Sequence, residues 1–332
     1  MKLLLVKVDA EQFALRECEK NNISATLLSD GVIEIHSEFP ENSSVFCFPF
    51  WFLSDASELH TGLNSNGISE VSNWYCDSIR NERIEHKWSC FWLTCTENGF
   101  TSDFSKFDKL TSTLKKRVSR IAKLADNSYP QCDTTVSGLI IVNTKSPDKL
   151  IIARKARFFG QRRMKDDPAA PSRSYLKIEE AFSVFNNSPK AGDIVADLGA
   201  APGGWTWAAL KRGAQVYAID NGPLKKGPLN HPNVHHIKKD AFIWHPDSSV
   251  DWLFCDMVEQ PLKVLNRIKD WFSNRWCRYS IVNFKYGYSD PEKIIDLIYS
   301  SKGLVPYTQE ILCRHLFHDR DEITVMARLK SS

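Results

Sequence analysis

Four ionisable residues of alternating sign stand where a folded chain could gather them: Lys177, Asp256, Lys285 and Glu322. Asp256 closes the apolar run Trp252-Leu-Phe-Cys-Asp256, and Lys285 closes Ile281-Val-Asn-Phe-Lys285. Both runs have the length and composition of buried strands. Ligands of open α/β sheets bind beyond the carboxyl ends of the strands, so both side chains belong to that edge. Glu322 closes the turn 318–322 and precedes the last apolar run, Ile323 to Leu329. A strand entering antiparallel to its neighbours starts at that same edge. Lys177 lies on a helix predicted from Tyr175 to Phe185, with Ser174 as its cap. Charges are buried only when paired, so two cations and two carboxylates meeting there form either a salt-bridge cluster or a site.

The elements that must position these residues are organised around Ile194-Val-Ala-Asp-Leu-Gly-Ala-Ala-Pro-Gly-Gly-Trp-Thr-Trp207. This stretch reads as a buried parallel strand (Ile194 to Leu198), a small-residue loop (Gly199 to Gly204) and a helix opening at Trp205. An apolar run ending in a carboxylate, Asp197, and then glycine has the form of a first Rossmann strand. The loop lets backbone N–H groups approach a ligand closely, and the helix start adds its own unpaired donors. The next apolar run ends at Asp220, about twenty positions on, where an acid is expected to hold two ribose hydroxyls. There is no G-x-G-x-x-G, which argues against NAD, and no G-K-[ST], which excludes a P-loop. A nucleoside site without a pyrophosphate suits S-adenosylmethionine. An ordinary glycine-rich turn is the plainer alternative, but strand, loop, helix and distal acid occur here in the required order.

The chain has 332 residues, enough for two domains, with 42% hydrophobic and 25% charged residues and a net charge of +3. Any case for nucleic acid must therefore rest on local patches. Nine scattered cysteines form no C-x-x-C pair, which reads as reduced thiols of a cytoplasmic protein without a metal site. The opening Met-Lys-Leu-Leu-Leu-Val-Lys is broken by Lys7 and Asp9, and reads as a strand rather than a signal peptide. No run approaches membrane-spanning length. Residues 1–158 are expected to form an α+β domain, with strands at Lys2 to Val8, Gly31 to His36, Val45 to Leu53 and Trp88 to Thr94. Within it a helix over 103–125 carries Lys106, Lys109, Lys115, Lys116, Arg117, Arg120 and Lys123 against Asp108. Such a face is either merely solvated or a phosphate-contacting surface. From 154 to 173, seven basic residues outnumber two acidic ones, with Phe158 and Phe159 among them, a pattern that favours RNA. Residues 159–172, with Pro168 and Pro171, read as a linker to an α/β domain at 173–332.

Lys177, Asp256, Lys285 and Glu322 match the K-D-K-E tetrad of the FtsJ-type RNA ribose 2′-O-methyltransferases, and Asp197-Leu-Gly-Ala-Ala-Pro-Gly-Gly204 matches their cofactor motif. Ala170 to Phe182, Asp220 to Pro223, Cys255 to Glu259 and His318 to Val325 extend the resemblance, most closely to family members that modify a cytidine of 23S rRNA. It covers roughly residues 170 to 329 and thins in the N-terminal half, where those members carry a THUMP RNA-binding domain. The resemblance implies a Rossmann-like S-adenosylmethionine-dependent methyltransferase domain behind an N-terminal THUMP-like domain. Its substrate would be RNA, 23S rRNA before full ribosome assembly, with no membrane and no metal involved. A methyltransferase for another RNA, or a cofactor-binding assembly factor without turnover, are the alternatives. The family pattern makes Lys285 the candidate base. Lys177 would lower its proton affinity, while Asp256 and Glu322 would raise it. Ser174 and the loop Ala201, Pro202, Gly203 and Gly204 would hold the methionine end, with Asp197, Gly199 and Trp205 also at the cofactor. Asp220 would hold the ribose, Asp240 the adenine amino group, and Asp256 would lie near the reacting centre.

Overall fold

The computed structural model describes residues 1–41, 45–61, 65–144, 146, 148–287 and 289–331. Its contacts divide the chain into two units, Met1–Ser43 with Phe48–Arg162, and Ser44–Cys47 with Arg163–Ser332.

The first unit runs β1 (Lys2–Val6), α1 (Glu11–Lys20), β2 (Ala25–Ser29), β3 (Val32–Ile35), β4 (Pro49–Leu53), β5 (Ser57–Leu59) and α2 (Ser65–Ser78). It continues through β6 (Trp88–Thr96), β7 (Gly99–Ser102), α3 (Phe104–Ala122), β8 (Ala125–Asp126), β9 (Thr134–Asn143) and β10 (Leu150–Phe158). The strands form one sheet in the order β2-β3-β1-β4-β10-β9-β6-β7, with β5 added to β10 and β8 to β6. Among the described residues only the β6–β9 and β6–β8 pairings of this sheet are parallel. Val71 and Tyr75 of α2 and Leu110 and Leu114 of α3 are buried with Trp92 and Leu139 of the sheet. Apolar residues at helical spacing thus leave the basic face of α3 outward. Asp103 caps α3 by accepting the Lys106 N–H at 3.1 Å. The expected single helix is broken at Val118, whose backbone (φ −135, ψ 57) is non-helical.

One expectation fails in this unit, that the aromatic rings of the basic stretch are open to RNA bases. Strand β10 extends through Arg154 to Phe158, so the start of the basic stretch is paired backbone rather than free chain. Phe158 and Phe159 are completely covered, Phe158 packing its ring on Trp51 and Tyr129. Alternation along the strand turns Phe158 into the core, so neither ring is available for base stacking.

The second unit contains α4 (Tyr175–Phe185), β11 (Ile194–Leu198), α5 (Gly204–Leu210), β12 (Gln215–Ile219), β13 (Val234–Ile237), β14 (Val250–Cys255) and α6 (Pro261–Ser273). Then come β15 (Cys277–Lys285), α7 (Pro291–Tyr299), β16 (Thr308–Arg314) and β17 (Glu322–Leu329). Its seven strands are ordered β13-β12-β11-β14-β15-β17-β16. The first five are mutually parallel, and β17 runs antiparallel to both β15 and β16. This is a Rossmann-like doubly wound sheet closed by a reversed hairpin. The rings of Phe182 and Phe185 from α4 meet Trp252 of β14 edge-on, and Trp205 of α5 meets Phe254. These buried contacts fix where α4 presents Lys177 and where the loop before α5 lies. Among the described residues no helix is long and apolar enough to cross a membrane.

Candidate active site

The chain order β11, β14, β15 and the reversed β17 brings four strand ends to one edge of the sheet. Lys285 ends β15 and is paired in register with Glu322, the first residue of β17. Asp256 follows β14, whose Cys255 pairs with Val282 of β15. Lys177 reaches this edge from α4. All four predicted charges meet there as two ion pairs. Lys285 Nζ donates to Asp256 Oδ1 at 2.8 Å and to the Asp256 carbonyl at 3.1 Å. Lys177 Nζ donates to Glu322 Oε1. The side chains of Lys177 and Glu322 are only 15% and 7% exposed, and those of Lys285 and Asp256 24% and 16%. Burial pulls the Lys177 amine down, but the carboxylates of Asp256, Glu322 and Asp319 outweigh it and raise its proton affinity. Lys177 is therefore a fixed cation of the cluster.

Three buried residues support the cluster without having been singled out in the sequence. Asn283 of β15 donates through Nδ2 to Asp256 Oδ1 and to Glu322 Oε2, each at 3.2 Å. Asp319 accepts the Leu316 N–H and the Thr324 hydroxyl, both at 3.0 Å. Burial and the nearby Glu322 push Asp319 up to about 7. Glu180, three residues beyond Lys177, accepts the N–H groups of Phe317 and His318 at 2.8 and 3.1 Å. It ties α4 to the turn before Glu322. The only local sign of these roles is a polar residue within, or beside, an otherwise apolar run.

The loop between β11 and α5 has the backbone the sequence requires. Gly199 and Gly203 adopt φ of 79° and 109°, where a side chain would be strained, and Met257 fills the space beside Gly199. A Cβ on Gly204 would lie 2.3 Å from Ser174 Oγ and 2.5 Å from Ser172 Oγ. Ser174 does not cap α4, contrary to expectation. Its own backbone is helical, and its hydroxyl bonds the Ser172 hydroxyl at 2.7 Å beside the loop. The Trp205 ring is buried, and its Nε1 donates to the Ser174 carbonyl at 3.0 Å. Only its backbone at the helix start is left to serve a ligand. The Asp220 carboxylate accepts the Ala201 and Gly222 N–H groups at 3.0 and 2.7 Å, which joins the loop before Pro202 to the end of β12. Asp240 stands apart beyond β13, exposed, with Oδ1 accepting the Phe242 N–H at 2.8 Å. It borders a 680 Å³ cavity lined by Tyr217, Trp244 and His245, which no member of the charged cluster lines.

Asp197 is completely buried, and Thr206 Oγ1 donates to its Oδ2 at 2.6 Å. Its Oδ1 has no hydrogen-bond partner among the described residues. Burial drives its carboxyl up to about 7 against the Thr206 bond, and Asp256 and Asp220 add to the rise. An orphaned buried carboxylate oxygen under a glycine loop suits a ligand that carries positive charge. Residues 170–280 match the FtsJ-like methyltransferase family. This FtsJ-like segment contains Lys177, the glycine loop, Asp220, Asp240 and Asp256. The chain is 42% identical over 175 residues to the ribosomal RNA large subunit methyltransferase M of Stenotrophomonas maltophilia, covering 50% of this chain and 48% of that protein. It is 43% identical over 169 residues to the protein of that name from Laribacter hongkongensis, covering 47% of each chain. The one from Chromohalobacter salexigens is 39% identical over 177 residues, 49% of this chain and 48% of that one. The chain thus spans about half the length of the curated relatives it matches.

Proposed function

We propose that this chain transfers a methyl group from S-adenosylmethionine to an RNA ribose 2′-hydroxyl, on a cytidine of 23S rRNA before the ribosome is fully assembled. The observation that carries this reading is the pair of ion pairs at the carboxyl edge, beside the glycine loop of the FtsJ-like segment. The donor fits the residues present. Ser174 and the backbone of Gly199, Ala201, Pro202, Gly203, Gly204 and Trp205 would hold its methionine end, and Asp197 would face its positive charge. Asp220 would take the ribose hydroxyls and Asp240 the adenine amino group. When bound, S-adenosylmethionine supplies an electrophilic sulfonium methyl. A ribose hydroxyl is a poor nucleophile, and Lys285 Nζ would accept its proton as the oxygen attacks. Asp256, Lys177 and Glu322 would orient that amine and balance its charge.

The first unit would be a THUMP-like RNA-binding domain over residues 1–158, joined through 159–172 to the methyltransferase domain at 173–332. Cytoplasmic RNA would be its partner, with no membrane and no metal. The test is nucleoside mass spectrometry of 23S rRNA from cells with and without the gene. Loss of one 2′-O-methylcytidine supports the reading; an unchanged methylation pattern sinks it.

Donor affinity should depend on pH through Asp197. Its folded proton affinity is raised to about 7, well above the ordinary carboxyl value of 3.8. The folded protein therefore keeps a proton that the unfolded chain loses, and the group's contribution to stability fades as pH rises towards 7. Binding a cation reverses this preference, because the ionised carboxylate is then the favoured form. Calorimetry should show S-adenosylmethionine binding about tenfold weaker at pH 6 than at pH 8, as one linked proton on a group titrating near 7 dictates. Asp197→Asn should flatten that dependence. A pH-independent affinity in the parent would remove Asp197 from the site.

A further inference from the structure

The two ion pairs are crossed relative to the strand register. Lys285 and Glu322 are direct partners across β15 and β17, yet Lys285 bonds Asp256, and Glu322 bonds Lys177 from α4. Opposite charges facing each other across antiparallel strands ordinarily attract. Something must hold Glu322 away from the lysine beside it. Asn283 stands two residues before Lys285, on the same face of β15, and is completely buried. Its amide group occupies Glu322 Oε2 while Lys177 and the Arg320 N–H occupy Oε1. The same amide bonds Asp256 Oδ1, the oxygen that Lys285 also uses. A neutral group with two N–H donors can bridge two carboxylates without adding charge.

We propose that Asn283 is a positioning residue that clips Asp256 to Glu322, denies Glu322 to Lys285, and so aims the Lys285 amine at the reacting hydroxyl. This rests on the function proposed above. No other common side chain of that size supplies two neutral donors. Leucine would fill the space but free Glu322 Oε2 to capture Lys285. Aspartate would keep the shape but place a third carboxylate against Asp256 and Glu322, with Lys177, Lys285 and Asp319 around it.

The experiment uses the full chain carrying Asn283→Leu, Asn283→Asp or Glu322→Gln, and the Leu/Gln double variant, each checked by thermal melting. With saturating donor and undermodified 23S rRNA, Asn283→Leu should slow methyl transfer about ten- to hundredfold, the scale of lost charge-assisted hydrogen bonds. Donor affinity should stay within about twofold, because the residue acts on the acceptor side. Glu322→Gln should cost little further in the Leu background, since the competing charge is then gone. Purely additive losses, or transfer by Asn283→Leu within about threefold of the parent, would overturn the inference. A second readout needs no turnover: the pH at which Lys285 becomes half-reactive to a lysine-acylating reagent, followed by mass spectrometry. In Asn283→Asp this midpoint should rise by about one unit, as an added neighbouring carboxylate dictates. An unmoved midpoint would overturn the inference even if the Leu variant fails to fold. If the parent transfers nothing to RNA, the proposed function fails, and the acylation midpoint still decides the placement of Asn283.

Discussion

Lys285→Met is expected to transfer methyl groups to undermodified rRNA about 10²- to 10⁴-fold more slowly than the parent, the range for loss of a general base. Methionine keeps most of the apolar stem but removes the amine that bonds Asp256 Oδ1 and the Asp256 carbonyl. Asp256 keeps its bond from Asn283, and the Lys177–Glu322 pair is untouched, so the site should stay assembled. Donor affinity should change little, because the loop and Asp220 lie on other strands. Lys177→Met and Glu322→Gln should also slow transfer, but their effects should not add to that of Lys285, since the four groups act as a unit. Single-turnover transfer from labelled donor measures this. Turnover by Lys285→Met within about tenfold of the parent would show that the base is misassigned. If Asp256→Asn is instead the most damaging change, the cluster works as an electrostatic frame and not by proton transfer.

The strand ends that carry Asp197, Asp256 and Lys285 were legible because each closes a short apolar run, and a parallel sheet sends such ends to one edge. Glu322 was legible from the reversed hairpin alone. Asn283 and Glu180 were not. An amide or acid inside an apolar run has meaning only through its partners, and those partners lie 39 and 137 positions away. The register that sets Lys285 opposite Glu322 suggested one pairing, and the tertiary contact from α4 imposed another. Boundaries failed for a related reason. The run Val45 to Leu53 reads as one strand, but only Pro49–Leu53 joins the first sheet. Phe46 and Cys47 belong to the second unit, where their carbonyls accept from Arg314 at 2.8 Å and from the His315 N–H at 2.9 Å. A cut at the Pro-containing stretch before Ser172 would therefore strip the buried Arg314 of a backbone partner. Charge reversal in the intact chain is the cleaner way to separate RNA binding from chemistry.

Reversing Lys109, Lys115, Lys116 and Lys123 to Glu is expected to weaken rRNA binding at low salt by at least about a hundredfold, the scale of losing several phosphate contacts. All four are exposed, three on α3 and Lys123 at its C-cap, and the buried stripe of the helix includes Leu110 and Leu114, so the substitutions leave the core intact. Arg117 and Arg120 are left alone because they already reach Asn73 and Glu85. Each phosphate neutralised releases counterions, so the slope of log affinity against log salt should become shallower by about three for four contacts. Methyl transfer at saturating RNA should be nearly unchanged, because no member of the charged cluster is touched. Phe159→Leu gives the contrasting control. Its ring is completely covered, so the change should lower stability by about 1 kcal/mol and leave the salt slope where it was. Filter binding across a salt series measures both. An unaltered slope in the α3 variant would make that helix a merely solvated face and move the RNA path elsewhere.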